Sequence, residues 1–195
     1  MLLTWETSQL MRSMARAFVA IECRTATGSP PSRGFPPAVG LAMSACESGW
    51  WASVTGANNY FGITRPSTFP GDPQSAWCKT TEYTTLTGLT RFRDDERATA
   101  VLVDPAKGEY SMFRWFAVYP SLEAAVEAYV DLLIDSMRYH PAWAAFQKDG
   151  DADKFLQAVC AAGYATGPAF KVELEIDHQQ NIIHAIEMAC AERTQ

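Results

Sequence analysis

Hydrophobic residues recur at helical spacing near the start of the chain and again over its second half. A first helix is predicted from about Trp5 to Ile21. A second helix begins at Pro36 and Pro37, because proline is tolerated in the first helical turn, and it stops near Gly49. Three further helices are predicted from the same spacing, two of them behind typical N-cap residues: one after Ser121, one from Asp151 to Gly163, and one over about residues 169–190.

The middle of the chain follows a different pattern. From Asn58 to Trp77 the sequence is interrupted by Gly, Pro and Asn, and the helical spacing disappears. Three strand-like stretches then begin at Thr80, Ala98 and Glu109, and we interpret them as a small antiparallel meander. Helices, a β-rich segment and more helices predict an α+β protein in which the strands form a lobe beside a mainly helical body.

Composition and length favour a compact globular protein. Of the 195 residues, 48% are hydrophobic and 19% are charged, where an ordinary domain carries about a quarter charged. We therefore predict one domain over residues 1–195, with residues 1–35 as an N-terminal helix and linker and residues 79–118 as the β-lobe. We also expect a monomer.

Charge and hydropathy exclude several partners. The 22 acidic residues outnumber the 16 basic ones and give a net charge of -6, the wrong sign for a protein that binds nucleic acid through its phosphates. No apolar run approaches the roughly 18 residues of a membrane span, so no membrane span is expected. The first residues lack the basic end and apolar stretch of a signal peptide, and we expect none.

Metal and cofactor chemistry also find no support in the sequence. His140, His178 and His184 are too far apart for a local metal site, and the five cysteines contain no CxxC pair. Cys46 has no histidine nearby that would mark it as a nucleophile, so a small buried residue is expected there. No nucleotide-binding glycine motif occurs, and no cofactor is expected.

Glu47 is the most informative single residue. It is the first charge after an apolar helix, it lies near the helix C-terminus, and Trp50 and Trp51 follow it. The helix dipole and apolar cover both raise the pKa of a carboxyl, as a general acid near neutral pH requires. A solvated surface glutamate at a helix end would give the same pattern.

Glu82 is a second candidate carboxylate, on the same face of its strand as Thr80 and Thr84. Glycosidic bond cleavage commonly uses two carboxyl groups. We expect Glu47 to be largely buried and Glu82 to be the more exposed of the two. A solvent-facing residue in a threonine-rich strand is the alternative interpretation of Glu82.

Several aromatic residues near these carboxylates could stack on sugar rings, which present flat apolar faces. Trp50 lies three positions after Glu47, and Tyr83 adjoins Glu82. Trp77 and Tyr164 lie close to Gly and Pro residues, where loops favour function over packing. Phe61 is expected to be part of the core.

Four motifs follow one another along the chain. The main one is ESGWWASVTGANNYFGI, from Glu47 to Ile63. The others are Thr81-Glu82-Tyr83, then Phe113-Arg114 with Tyr119-Pro120-Ser121, and finally Gly163-Tyr164-Ala165-Thr166. In this order, over about residues 38–186, they resemble the motifs of glycoside hydrolase family 73, the family of flagellar-rod and autolysin N-acetylglucosaminidases.

The resemblance implies a lysozyme-like α+β fold with a substrate groove between a helical body and a small antiparallel β-lobe. It implies hydrolysis of the β-1,4 bond after N-acetylglucosamine in peptidoglycan, with Glu47 as general acid and Glu82 as base or electrostatic stabiliser. Tyr164 takes the position of an active-site tyrosine near the reacting sugar. Three residues fall on the motif that shapes the groove floor: Asn59, Phe61 and Gly62.

The chain departs from the family pattern at the tyrosine turn, which reads GYATGPAF here. Gly167 replaces an Asp and Phe170 replaces a Tyr, so an N-cap or a substrate contact is lost. The stretch from Leu89 to Lys107 is also longer than the usual hairpin connection, which predicts an enlarged β-lobe.

Two other functions remain open from the sequence. A lytic transglycosylase or muramidase of the same fold class also carries a Glu-Ser pair at a helix end, although the NNYFGI string speaks against it. A wall-binding assembly module would keep the groove without turnover. The substrate lies outside the cytoplasm, and phage lysis, contact-dependent secretion or a removed leader would each explain delivery.

Overall fold

A helical body and a three-stranded antiparallel sheet make up the computed structural model, which describes residues 5–26, 33–49, 51, 54–69 and 71–164. This arrangement confirms the predicted α+β class. The elements are, in chain order, α1 (Trp5–Thr25), α2 (Pro37–Ser48), β1 (Ser75–Tyr83), a 3-10 helix (Thr87–Arg91), α3 (Asp94–Arg97), β2 (Val101–Asp104), β3 (Glu109–Ala117), α4 (Leu122–Asp135), α5 (His140–Asp149) and α6 (Ala152–Ala161). The predicted helix over residues 169–190 lies outside the described residues.

The helix ends follow from the sequence signals. Pro37 starts α2, and Gly49 ends it in the left-handed conformation with φ of 59°. The Ser121 side chain accepts a hydrogen bond from the backbone N–H of Ala124, and the Asp151 side chain accepts one from Lys154. Both predicted N-caps are therefore confirmed, and the end of α2 places Glu47 in its last turn.

The helical body is built around a cluster of buried aromatic rings. Phe18 of α1 contacts Phe61 and Tyr129 edge to face, and the Phe61 and Tyr129 rings stack with centroids 4.3 Å apart. A Cβ atom at Gly40 would overlap the Phe18 ring, so α1 and α2 approach closely at this point. This packing fixes the loop that carries Phe61 against α4.

The strand order of the sheet is β1-β3-β2, with β3 in the centre. The predicted meander is wrong on this point, because β1 pairs with β3 along all nine of its residues, from Ser75↔Ala117 to Tyr83↔Glu109. The other edge of β3 is shared by the four residues of β2 and by α3. At that edge the Glu96 side chain accepts the backbone N–H of Trp115 at 3.1 Å.

The lobe has a small core of its own on the face of the sheet that carries Glu82. Leu89, Phe92, Tyr110 and Met112 are buried there.

Among the described residues, no helix has the length and apolar character needed to cross a membrane. The predicted domain boundaries at residues 35 and 79–118 stay predictions.

Candidate active site

A cleft of about 510 Å³ lies between the helical body and the β-lobe. Its lining combines one carboxylate and three arginines with apolar and aromatic groups, as is usual for a ligand site. The lining residues are Glu47, Phe61, Gly62, Ile63, Thr64, Arg91, Phe92, Arg114, Leu132, Ser136, Arg138, Tyr139, Gly163 and Tyr164. A smaller depression of about 310 Å³ near Arg65 and Tyr119 is lined by neither candidate glutamate.

Glu47 reaches the cleft from the last turn of α2 and is half-buried. Its Oε2 atom lies against the Gly62 backbone: a Cβ atom at Gly62 would lie 3.0 Å from it. Gly62 also has a φ of 64°, a conformation that side-chain-bearing residues rarely adopt. Both features explain why glycine stands at this position.

The turn that follows Glu47 is fixed by a buried hydrogen-bond network. The Ser48 hydroxyl donates to the Ser44 carbonyl at 2.6 Å and accepts the backbone N–H of Trp51 at 2.7 Å. The Trp51 ring nitrogen donates to the Ser44 hydroxyl at 3.1 Å. Trp51 is thus buried behind the turn, whereas Trp50 lies outside the described residues.

Tyr164 closes the cleft on the side of the helical body. Its hydroxyl donates a 2.7 Å hydrogen bond to the backbone carbonyl of Phe61. Burial raises the pKa of Tyr164 well above its usual range, and the charges of Tyr129 and Glu47 raise it further. Tyr164 therefore stays protonated at neutral pH and holds the segment that faces Glu47.

Asn59 anchors the same segment to the sheet. It is buried, and its amide group donates to the carbonyls of Ile63 at 2.8 Å and Ala117 at 3.0 Å. Its side-chain oxygen accepts the Ile63 N–H at 3.1 Å. These bonds join the cleft floor to β3, so Asn59 shapes the site from behind.

Glu82 forms a buried ion pair with Arg114 on the inner face of the sheet. Arg114 Nη1 donates to Glu82 Oε1 at 2.7 Å, and Arg114 Nε lies 3.8 Å from Glu96 Oε1. The guanidinium of Arg114 also lies 4.8 Å from the centroid of the Phe92 ring. Glu82 and Glu96 therefore hold Arg114 in the wall of the cleft.

The expectation that Glu82 would be more exposed than Glu47 is wrong. Glu82 is 5% exposed, and it pairs with Arg114, which itself lines the cleft. The sequence pattern could not identify this pair, since the two residues are 32 positions apart. No metal-binding cluster of His, Cys, Asp and Glu exists in the part of the chain that the structure describes.

Comparison with known proteins identifies the family. Residues 29–187 match the glucosaminidase family, described as mannosyl-glycoprotein endo-beta-N-acetylglucosaminidase. The chain belongs to the glucosaminidase family. It is thus a glycoside hydrolase by family, and the resemblance drawn from the sequence motifs is confirmed.

A curated relative of this glucosaminidase is the peptidoglycan hydrolase FlgJ of Vibrio parahaemolyticus serotype O3:K6. The two are 30% identical over 142 residues, which is 70% of this chain and 38% of the relative. The chain thus matches well under half the length of that protein.

Solved structures share the fold of this glucosaminidase at low identity. A mutant of the peptidoglycan hydrolase from Sphingomonas sp. A1 is 23% identical with a TM-score of 0.56, covering 89% of this chain and 99% of that one. A Staphylococcus aureus structure described as N-acetylmuramoyl-L-alanine amidase is 20% identical with a TM-score of 0.62, covering 92% of this chain and 43% of that one. The lysozyme-like fold is confirmed.

Two predicted substrate contacts of the glucosaminidase lie on the other face of its sheet. Trp77 was expected in a loop, but it lies in β1, where it contacts Trp115 with ring centroids 4.8 Å apart and stacks on Phe113 at 6.0 Å. Strand alternation places Tyr83 on the same outer face, opposite to Glu82. A role for Trp77 and Tyr83 in glycan binding stays a prediction.

Four residues that line the cleft were not predicted from the sequence. They are Arg91 and Phe92 of the lobe, and Arg138 and Tyr139 of the turn after α4. They are isolated in the sequence and carry no spacing signal. Arg114 did lie within one of the family motifs, which was a signal for it, but the motif assigned it no role.

Proposed function

We propose that this glucosaminidase hydrolyses the glycan strands of peptidoglycan. It cuts the β-1,4 bond between N-acetylglucosamine and N-acetylmuramic acid, with Glu47 as the general acid. The observation that carries the proposal is the half-buried Glu47 carboxyl in the cleft between the helical body and the lobe. The FlgJ relative, which is named a peptidoglycan hydrolase, supports the choice of substrate.

Glu47 is suited to donate a proton to the glycosidic oxygen. The C-terminal end of α2 disfavours a negative charge at its position, and the cleft leaves room for a sugar in front of the carboxyl. Protonation of the leaving oxygen lets the leaving sugar depart as an alcohol, and water completes the hydrolysis at the anomeric carbon.

Tyr164 keeps the acid and the reacting sugar aligned. Its ring lines the cleft, while its hydroxyl group donates a hydrogen bond to the Phe61 carbonyl. The Phe61–Gly62 backbone, which Tyr164 holds, is the surface against which the Glu47 carboxyl lies. Phe61 and Asn59 thereby act on substrate binding through the shape of the cleft floor.

Glu82 serves as an electrostatic stabiliser that acts through Arg114. The 2.7 Å contact between Glu82 and Arg114 supports this role over that of a base acting directly on water. A guanidinium fixed at the cleft wall by two buried carboxylates is preorganised to donate hydrogen bonds to a substrate oxygen that gains negative charge, so no reorganisation is needed during the reaction. The protein acts as a monomer outside the cytoplasm, where peptidoglycan lies.

Product analysis tests the proposed function. Purified walls are digested, the fragments are reduced with borohydride, and the reduced sugar is identified by mass spectrometry. We expect N-acetylglucosaminitol. A muramidase would leave N-acetylmuramitol, a lytic transglycosylase would leave an end that cannot be reduced, and a wall-binding module would release nothing, so any of these results would contradict the proposal.

A further inference from the structure

Positive charge is concentrated in the cleft of a protein whose overall charge is negative. Arg91 and Arg114 line it from the lobe and Arg138 lines it from the helical body. Among the described residues that line the cleft, Glu47 is the one carboxylate, although the whole chain carries a net charge of -6. The cleft is therefore suited to an anionic ligand.

The three arginines differ in their partners. Arg114 is held by Glu82 and Glu96. Arg91 and Arg138 form no ion pair with any residue that the structure describes. Both are exposed, so their charges are available to a ligand that enters the cleft.

Neighbouring rings orient these two guanidinium groups. The Arg91 guanidinium carbon lies 4.9 Å from the centroid of Phe92, and that of Arg138 lies 5.9 Å from the centroid of Tyr139. Both rings belong to buried residues and are fixed in place. A guanidinium that packs on a ring keeps its N–H edge available, and this edge can donate two parallel hydrogen bonds to a carboxylate.

We infer that Arg91 and Arg138 bind carboxylates of the substrate, one from each wall of the cleft, and so select an acidic glycan over a neutral polymer of N-acetylglucosamine. The inference rests on the proposed function, since peptidoglycan carries such carboxylates. They have two sources: the stem peptides, and the lactyl groups of muramic acid once the stems have been removed. A neutral chitin chain has neither.

The inference is tested by measuring ligand binding to the full chain carrying Glu47→Gln, so that the ligands bind without being cleaved. Three ligands of equal sugar length are titrated by calorimetry: a stem-bearing peptidoglycan tetrasaccharide, the same tetrasaccharide freed of its stems, and the chitin tetrasaccharide. We expect Arg91→Gln and Arg138→Gln each to weaken binding of a carboxylate-bearing ligand about tenfold. Binding of the chitin tetrasaccharide should change less than about twofold, and 0.5 M salt should reduce the difference between ligands.

The two acidic ligands identify the source of the carboxylate. If the stem-bearing ligand alone responds to the substitutions, Arg91 and Arg138 bind the stem peptide. If the stem-free ligand responds, they bind the lactyl groups. Arg12→Gln is the matched control, because Arg12 is an exposed arginine of α1 that does not line the cleft and carries the same charge.

Three results would overturn the inference: no loss with either acidic ligand, an equal loss with the chitin tetrasaccharide, or an equal loss with Arg12→Gln. The proposed function fails separately, if the wild-type chain releases no reducing ends from purified walls. Arg138→Lys keeps the charge but loses the fork of two parallel N–H groups, and we expect it to restore only part of the lost affinity.

Discussion

The contact between Glu47 and Gly62 joins the proposed acid to the backbone conformation of one glycine. Gly62 has a φ of 64°, and a Cβ atom there would lie 3.0 Å from the Glu47 carboxyl. The position of the acid thus depends on the absence of a side chain at residue 62. Arg114 shows a similar dependence on Glu82 and Glu96, which fix it in the cleft wall.

Gly62→Ala is expected to lower kcat/KM at least tenfold, because the added methyl group displaces the Glu47 carboxyl. The left-handed backbone adds a cost of about 1 to 2 kcal/mol in the free energy of unfolding. Gly71→Ala is the matched control, since Gly71 has a φ of 80° with nothing within 4 Å of its Cβ position. Urea unfolding and wall turbidity should show that both variants lose stability and only Gly62→Ala loses activity. Equal activities of the Gly62→Ala and Gly71→Ala variants would show that Gly62 does not position Glu47.

A double-mutant cycle separates the two roles of Glu82. If Glu82 acts through Arg114, then Glu82→Gln and Arg114→Met lower kcat/KM by similar factors, and the double variant is no worse than either. Each single change also removes about 3 kcal/mol of stability, because it breaks the short contact between the Glu82 carboxylate and the Arg114 guanidinium. A double variant that is much less active than Arg114→Met would make Glu82 a base that touches the reacting water.

A single functional residue is predictable from the sequence where the signal is local. Glu47 is predicted because it carries the one charge of an otherwise apolar helix, and the structure places it in the last turn of α2 and in the cleft. The Glu82–Arg114 pair spans 32 positions and α3 intervenes, so only the fold brings its members together. Arg91 and Arg138 were not predicted either, because only the fold brings them to the same cleft.

At the scale of elements, local chemistry determined the helix ends, whereas packing determined the sheet. Ser121 and Asp151 cap their helices as predicted, because capping involves only neighbouring residues. The strand order was wrong, since β1 gains nine paired residues by lying beside β3. The short helix α5 was not predicted, because only Ala142 and Phe146 of its ten residues are buried and its periodic signal is weak.

The loop from Asn59 to Ile63 is the element that joins the body to the sheet. Asn59→Ala removes three hydrogen bonds of a buried side chain, and we expect it to lower the free energy of unfolding by about 3 kcal/mol. Urea denaturation measures this loss. Ser121→Ala removes one cap bond and should cost about 1 kcal/mol without affecting wall hydrolysis. An Asn59→Ala variant as stable as Ser121→Ala would contradict the proposed anchoring.

For the molecule as a whole, three buried or partly buried groups with raised pKa values predict a fold that loses stability in alkali. Burial raises the pKa of Tyr129 and Tyr164 well above the usual range, and it raises the pKa of Cys160 to about 11. The unfolded chain therefore releases these protons at a lower pH than the folded chain does. We therefore expect stability to be fully present below about pH 8.5 and to be lost progressively above it.

Tyr129→Phe tests this pH dependence. The Tyr129 hydroxyl is buried and has no hydrogen-bond partner among the described residues, so its removal should leave stability at pH 7 within about 0.5 kcal/mol. Between pH 9 and pH 10.5 the variant should lose less stability than the wild type, as measured by urea denaturation at each pH. An identical loss in both proteins would show that Tyr129 does not contribute to it.

The proposed role of Glu47 as the proton donor in glycan hydrolysis is tested by comparing the wild-type chain with Glu47→Gln. Wild-type and Glu47→Gln chains of equal melting temperature are added to purified walls, and the release of reducing ends is measured. The amide keeps the shape of the side chain but has no acidic proton to donate, so we predict a rate about 100- to 10,000-fold lower with wall binding retained. A Glu47→Gln rate within a few-fold of the wild-type rate would contradict the account.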